Sequence, residues 1–242
     1  MNVLVDFWGQ LLQVQSAWLP EAALAQAWLR LGWALVLGAL LATGVAGVGA
    51  RKGWSALRQR QLARALALLT LLACLWPGCG SPAYWLGLAF QAPSLSAGLL
   101  GGLVLLCRCT TGAVAQRGAE WLAQLRGWAV VAVLLGWLLL LDSFAWWPVA
   151  LYPLGFGVGV WLALLAVLGV PWAWHGGPWR QHAGSVLWGL VLLVFTLLRL
   201  PSGNVWDAVL DPWLWLLAHG VAAWWCWTCY KNRSASRNVC AG

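Results

Sequence analysis

The chain has 242 residues, of which 62% are hydrophobic and only 8% are charged. A soluble domain of this size lacks the polar surface to cover so much apolar side chain, so the composition excludes an ordinary globular protein and indicates lipid as the solvent. The net charge of +8 does not indicate nucleic-acid binding, because the basic residues fall in short segments between apolar runs. We predict an all-α, polytopic bundle of transmembrane helices whose partners are membrane lipid and other membrane proteins, with no nucleic acid.

The amino-terminal segment 1–19 predicts an interfacial amphipathic helix rather than a span. Leu4, Trp8 and Leu11 recur at helical spacing opposite polar side chains, which is typical of a helix lying in the membrane surface. The segment lacks the basic region and the small-residue cleavage site of a signal peptide, so we expect it to remain on the mature protein. Pro20 ends this helix.

A basic block at 51–64 fixes the predicted orientation. It holds five of the fourteen basic residues and no acid, and it lies between two apolar segments, so the positive-inside rule places it in the cytoplasm. The transmembrane domain is predicted over 20–230, with spans at 28–49, 62–76, 83–107, 127–147, 155–173, 184–200 and 212–230, before a short basic tail at 231–242. About seven spans, with the amino terminus outside and the carboxyl terminus cytoplasmic, leave twelve of the fourteen basic residues on the inner side. The predicted location is the inner (cytoplasmic) membrane.

Two of these spans are irregular. The span 62–76 is shorter than the ~20 residues that cross a bilayer, so we expect it to tilt little or to include residues from its ends. The span 83–107 is interrupted by Gln91, Pro93 and Ser94. Such a break either lines a cavity or is a proline kink whose backbone groups are satisfied by neighbouring helices, and the sequence leaves both interpretations open.

Acidic residues are the first candidates for chemistry. Asp142 and Arg199 lie near the outer ends of spans, where ionisable groups are usually paired, so we expect a contact between them or, alternatively, side chains that extend separately to the headgroups. Asp207 and Asp211 are four positions apart and would share a helix face, as paired carboxylates do. Asp211 precedes a proline, however, which is typical of a helix cap and leaves Asp207 as the preferred outer acid.

His219 is the histidine predicted inside a span. A single histidine cannot supply the paired ligation of a membrane haem, so no cofactor is predicted, and its role is a polar helix contact or, alternatively, proton transfer. Cys107 and Cys109, with Cys226 and Cys229, fall at the cytoplasmic ends of spans, where a shared thiolate metal site is geometrically possible. Neither pair has the polar flanks of a zinc motif, so no metal is predicted.

The function ranked first is a non-catalytic subunit or assembly factor of a membrane complex. The pattern contains no soluble domain, and few ionisable residues fall inside spans. Gly38, Ala42 and Ala46 form a small-residue stripe suited to close helix packing.

Two other classes fit the same sequence. A membrane-embedded enzyme would act at the outer face on a lipid or lipid-linked glycan, with Asp142 and Asp207 as acids and Arg199 holding a phosphate. A small transporter would instead use the broken third span, with Gln91 and His219 lining the path.

Overall fold

The computed structural model describes residues 18–146, 148, 150–157, 159–160, 163–165 and 183–239, with side chains described as far as residue 231. This part of the chain is all-helical and contains no strand. Its helices are α1 (Ala22–Arg51), α2 (Ala56–Leu75), a 3-10 turn (Gly78–Gly80), α3 (Pro82–Phe90), α4 (Leu95–Cys109), α5 (Gly112–Gln124), α6 (Trp128–Ser143), α7 (Leu151–Leu154), α8 (Ala183–Leu198), α9 (Val205–Val209) and α10 (Pro212–Val239). The predicted helix at 1–19 and most of the predicted span 155–173 lie outside the described residues.

The turn between α1 and α2 coincides with the basic block. Ser55 caps α2 by accepting a hydrogen bond of 3.3 Å from the N–H of Arg58. Because α2 begins at Ala56, it takes Arg58 and Arg60 into the helix and reaches 20 residues. This helix therefore begins six residues before the predicted segment 62–76.

The break in the third apolar segment is confirmed, between α3 and α4. Two tryptophans of α1 satisfy its carbonyl oxygens: Trp33 Nε1 donates to the carbonyl of Gln91 at 2.9 Å, and Trp28 Nε1 donates to that of Pro93 at 2.8 Å. Irregular backbone in an apolar bundle is tolerated where neighbouring elements pair its polar groups. The break is therefore fixed by side chains of α1.

Two apolar clusters fill the bundle. A small cluster joins α1, α2 and α3 through Trp33, Ala34, Cys74 and Ala83. A larger one joins α4, α6, α8, α9 and α10, and its fully buried members include Leu95, Val191, Phe195 and Val205. The segment after α8, predicted as an outer loop, therefore folds back into the bundle as α9, where Val205 and Ala208 have no exposed surface.

The predicted small-residue stripe on α1 packs inside this chain. Ala42 is 1% exposed. A Cβ built on Gly38 would lie 3.4 Å from Leu105 of α4 and 3.7 Å from the backbone of Ala67 of α2. The predicted close packing is therefore confirmed for Gly38 and Ala42, and the helices next to Gly38 are α2 and α4 of the same chain.

Membrane association is indicated by α1. Within the described ranges, α1 is the one helix that is clearly long and apolar enough to cross a bilayer by itself. The helices α5 and α6 meet this criterion together as a pair bent by 50°, and α4 and α8 are shorter apolar helices.

Candidate functional site

A cleft of about 820 Å³ opens between the start of α1, the break after α3 and the segment around α9. Its polar lining consists of Gln26, Gln91, Tyr152, Ser202, Asp207 and Asp211, and its aromatic lining includes Phe90 and Trp213. None of the described lining residues is basic, so we call it the acidic cleft. Carboxylates, amides and aromatic rings in one concave site suit a cationic or hydroxyl-rich group.

Asp207 is the carboxylate of this cleft that uses only one of its two oxygens in hydrogen bonds to described residues. Its Oδ2 accepts hydrogen bonds from the hydroxyls of Tyr152, at 2.9 Å, and of Ser202. Its Oδ1 has no partner among the described residues. Partial burial, followed by the charge and the hydrogen bond of Asp207, raises the pKa of Tyr152, so the phenol stays protonated as the donor.

Asp211 joins the starts of two helices at the edge of the cleft. Its Oδ1 accepts the N–H of Leu214 at 2.8 Å, which is the predicted cap of α10. Its Oδ2 accepts both the N–H and the hydroxyl of Ser94, at 2.8 and 2.7 Å. Ser94 in turn caps α4 through the N–H of Ala97 at 3.0 Å. A carboxylate between two helix N-termini is stabilised by both helix dipoles.

Of the two alternatives for Asp142 and Arg199, the direct contact is not formed. The oxygens of Asp142 accept the N–H groups of Leu151 and Tyr152, at 2.8 and 2.7 Å, and thereby fix the start of α7. The guanidinium of Arg199 lies over the ring of Trp18 at 5.3 Å. Tyr152 connects the two predicted acids, because its N–H donates to Asp142 and its hydroxyl to Asp207. Two of the three predicted catalytic residues therefore share a network, and Arg199 is not among the cleft-lining residues.

The two residues predicted for a transport path are separate. Gln91 lines the acidic cleft at the break, with a φ of 62°. His219 lies between α6 and α10, where Trp137 Nε1 donates to its Nε2 at 3.2 Å and its Nδ1 contacts the carbonyl of Trp215 at 2.8 Å. An indole N–H can only donate, so Nε2 is the acceptor and the neutral ring carries its proton on Nδ1. This geometry is that of a polar helix contact.

The four candidate thiols do not form a metal centre in the part of the chain that the structure describes. Cys107, Cys109, Cys226 and Cys229 are free thiols. No three His, Cys, Asp or Glu side chains among the described residues form a group that could hold a metal ion. The carbonyl of Cys109 accepts a hydrogen bond of 2.6 Å from Arg64 Nε, so this end of α4 is tied to α2.

Sequence analysis did not indicate Tyr152, and it named Ser94 only as part of the break in the third span. Tyr152 is separated from Asp207 by 55 positions, and no local pattern relates them. Ser94 does carry a local signal, since a serine after a proline and before an apolar run is typical of a helix N-cap.

The described residues form an all-helical protein with one helix that is clearly long and apolar enough to cross a membrane by itself, and with an acidic cavity at the end of the bundle where this helix, α1, begins. Comparisons with protein-family models, with curated proteins and with solved structures find no match to this chain. Its chemistry is therefore inferred from its own residues.

Proposed function

We propose that the chain is a multi-pass protein of the inner (cytoplasmic) membrane that serves as a non-catalytic subunit or assembly factor of a membrane complex. In this proposal about seven helices cross the bilayer, with the amino terminus outside and the carboxyl terminus cytoplasmic. The acidic cleft then opens on the outer face, because it lies where α1 begins.

Exposed apolar side chains support the membrane arrangement. Large leucines point away from the bundle on α1, α2, α4, α6, α8 and α10, as in Leu41, Leu68, Leu106, Leu134, Leu193 and Leu216. Apolar faces on so many helices suit lipid and would promote aggregation in water. The apolar part of α10, residues 212–230, is also close to the length of a span, and the polar end of the helix from Lys231 onward lowers the mean hydropathy of the whole.

The observation that carries the non-catalytic assignment is that Asp142, one of the two acids predicted for catalysis, serves as a structural acceptor in the same way as the capping residue Asp211. Both oxygens of Asp142 fix the start of α7, and both oxygens of Asp211 fix the starts of α4 and α10. Arg199, expected to hold a phosphate, is stacked on Trp18. Carboxylates with several backbone donors support local structure rather than proton transfer.

A second face of α1 provides a surface for another membrane helix. Thr43, Gly44, Gly47 and Ala50 are exposed on this helix, whereas Ala42 is buried. A Cβ on Gly44 or on Gly47 would meet nothing within 4 Å. Small residues let the backbones of two helices approach closely in lipid, so this face suits a partner subunit.

The test is purification of the tagged protein in mild detergent, followed by native mass determination. We expect other polypeptides in stoichiometric amounts, and we expect Gly47→Leu to reduce their recovery about tenfold by separating the helices. Gly220→Leu is the matched control, because Gly220 on α10 is equally open. Recovery of the wild type as a lone chain or a homo-oligomer would contradict the proposal.

A membrane-embedded enzyme acting at the outer face on a lipid or lipid-linked glycan is the second candidate. One observation favours it: Asp207 lines the acidic cleft with Oδ1 unpartnered among the described residues, beside the hydroxyl of Tyr152. Asp207→Asn keeps the shape of the side chain and removes its charge. Loss of complementation of a deletion strain by this variant, with partner recovery and thermal stability unchanged, would favour the enzyme over the subunit.

A further inference from the structure

A second polar cavity lies at the opposite end of the bundle from the acidic cleft. It has a volume of about 250 Å³ and lies where α1, α2, α4 and α5 meet. Its polar lining consists of Gln59, Arg60, Arg108, Thr110 and Thr111, and no acidic residue is among its described lining. We call it the basic cavity. In the proposed topology it lies at the cytoplasmic surface of the membrane.

The two arginines of this cavity lack partners within the described part of the chain. Neither Arg60 nor Arg108 has a hydrogen bond, an ion pair or an aromatic contact there. The neighbouring arginines differ, because Arg64 donates to the carbonyl of Cys109 at 2.6 Å and Arg58 lies over the ring of Trp54 at 4.7 Å. Two guanidinium groups from separate helices thus line one cavity without a counter-charge, which favours an anion between them.

The start of α5 adds to this preference. Thr111 is the residue before α5, and its hydroxyl does not accept a hydrogen bond from the first turn. Gly112 and Ala115 of the same helix line the cavity. The uncapped N–H groups and the positive end of the helix dipole therefore lie beside the two guanidinium groups.

An apolar groove lies along another face of α4. It has a volume of about 570 Å³ and shares Thr110 with the cavity. Its walls come from α4, α5 and α8, chiefly Leu99, Leu103, Leu106, Leu125, Leu187 and Leu190. The cavity and the groove therefore come together at Thr110, the residue after α4. A basic site and a leucine-lined groove at the same helix end suit a phospholipid, because its phosphate requires basic groups and its acyl chain requires an apolar surface.

We propose that this pair of sites binds one anionic phospholipid, with its phosphate between Arg60 and Arg108 and an acyl chain in the leucine groove. A headgroup that carries an ammonium is disfavoured, because the cavity already holds two cations and no described acid. Lipid binding at this site rests on the proposed membrane orientation but requires no partner subunit. The lipid proposal and the subunit proposal can therefore fail independently.

The test is native mass spectrometry of the full chain released from mild detergent, titrated with phosphatidylglycerol or with phosphatidylcholine. We expect phosphatidylglycerol to remain bound and to raise the thermal unfolding midpoint more than phosphatidylcholine does. We expect the double variant Arg60→Gln, Arg108→Gln to bind phosphatidylglycerol about tenfold more weakly. Each single variant should give an intermediate loss and carries the test if the double variant does not fold.

Arg117→Gln is the matched control, because it removes one charge from exposed α5 without changing the described lining of the cavity. Equal binding of the two lipids, or equal loss in the Arg117 variant, would overturn the proposal. Displacement of the lipid by inorganic phosphate at comparable concentration would also overturn it, since the cavity would then be a site for a soluble anion.

Discussion

The carboxylate of Asp211 accepts two hydrogen bonds from Ser94, which lies 117 positions earlier in the chain. The same carboxylate caps α10 through Leu214, while the hydroxyl of Ser94 caps α4 through Ala97. One acid therefore fixes the relative position of two helix starts and of the break before α4. The acidic cleft depends on this contact, because the break forms one of its walls.

Replacement of Asp211 by alanine should destabilise the protein by about 2–4 kcal/mol, because it removes a helix cap and two charged hydrogen bonds to Ser94. Reversible unfolding in detergent micelles measures this loss. Glu21→Ala is the control, because Glu21 precedes α1 without forming a side-chain cap. An effect at Glu21 as large as that at Asp211 would contradict the special role of Asp211.

The adjacent glycines of α4 should respond in opposite directions. A Cβ on Gly101 would lie 2.9 Å from the carbonyl oxygen of Leu35 in α1, so Gly101→Ala must push the two backbones apart and destabilise the protein. At Gly102 the nearest atom is a side-chain methyl of Leu35 at 4.0 Å. Gly102→Ala should therefore be neutral or stabilising by up to about 1 kcal/mol through helix propensity. Unfolding of the two variants side by side checks the sign.

The contact between Trp137 and His219 should be measurable as a coupling between α6 and α10. Trp137→Phe removes the N–H donor, and His219→Phe removes the acceptor. A double-mutant cycle on these changes should give about 0.5–1.5 kcal/mol, as for interhelical hydrogen bonds in membranes. Additive effects would show that the two rings pack without this hydrogen bond.

Tyr152 should make stability fall at high pH. Its pKa is raised in the folded state, chiefly by burial and then by Asp207, above the ordinary value of 10.0. The folded state therefore binds this proton more tightly than the unfolded state does. The contribution of this proton to the free energy of unfolding is complete below pH 10.0 and is lost as the pH rises through the higher folded-state pKa of Tyr152. Tyr152→Phe should flatten this part of the stability profile. The ultraviolet titration of the wild type minus that of this variant reports the phenol of Tyr152, and it should show no phenolate forming near pH 10.0 while the protein is folded.

The helices themselves were largely predictable, because their signals are local. The apolar runs predict α1, α6, α8 and α10, and the polar residues between α3 and α4 predict the break. The cap at Asp211 follows from an aspartate before a proline. The length of α2 was underestimated, because arginines at its start lower its hydropathy without preventing helix formation.

The arrangement of side chains at the site required the tertiary structure. A contact with Arg199 was one of two alternatives for Asp142, but this carboxylate accepts backbone N–H groups of α7, which lie nearby along the chain and bring no second charge to be desolvated. The small residues Gly38 and Ala42 were predicted to allow close helix packing, and the structure shows that Gly38 packs on α2 and α4 of the same chain. Small size indicates close packing but does not specify the neighbour.

The sequence by itself determined a helical chain too apolar for water, with a broken third segment and a capped last helix. These features depend on composition, periodicity and residues within one helical turn of each other. Only the tertiary structure decided which tryptophans satisfy the break, that Tyr152 connects Asp142 with Asp207, and that Arg60 and Arg108 share a cavity. Most of these partners lie tens of residues apart in sequence, so their pairing is set by how the helices pack and not by any local pattern.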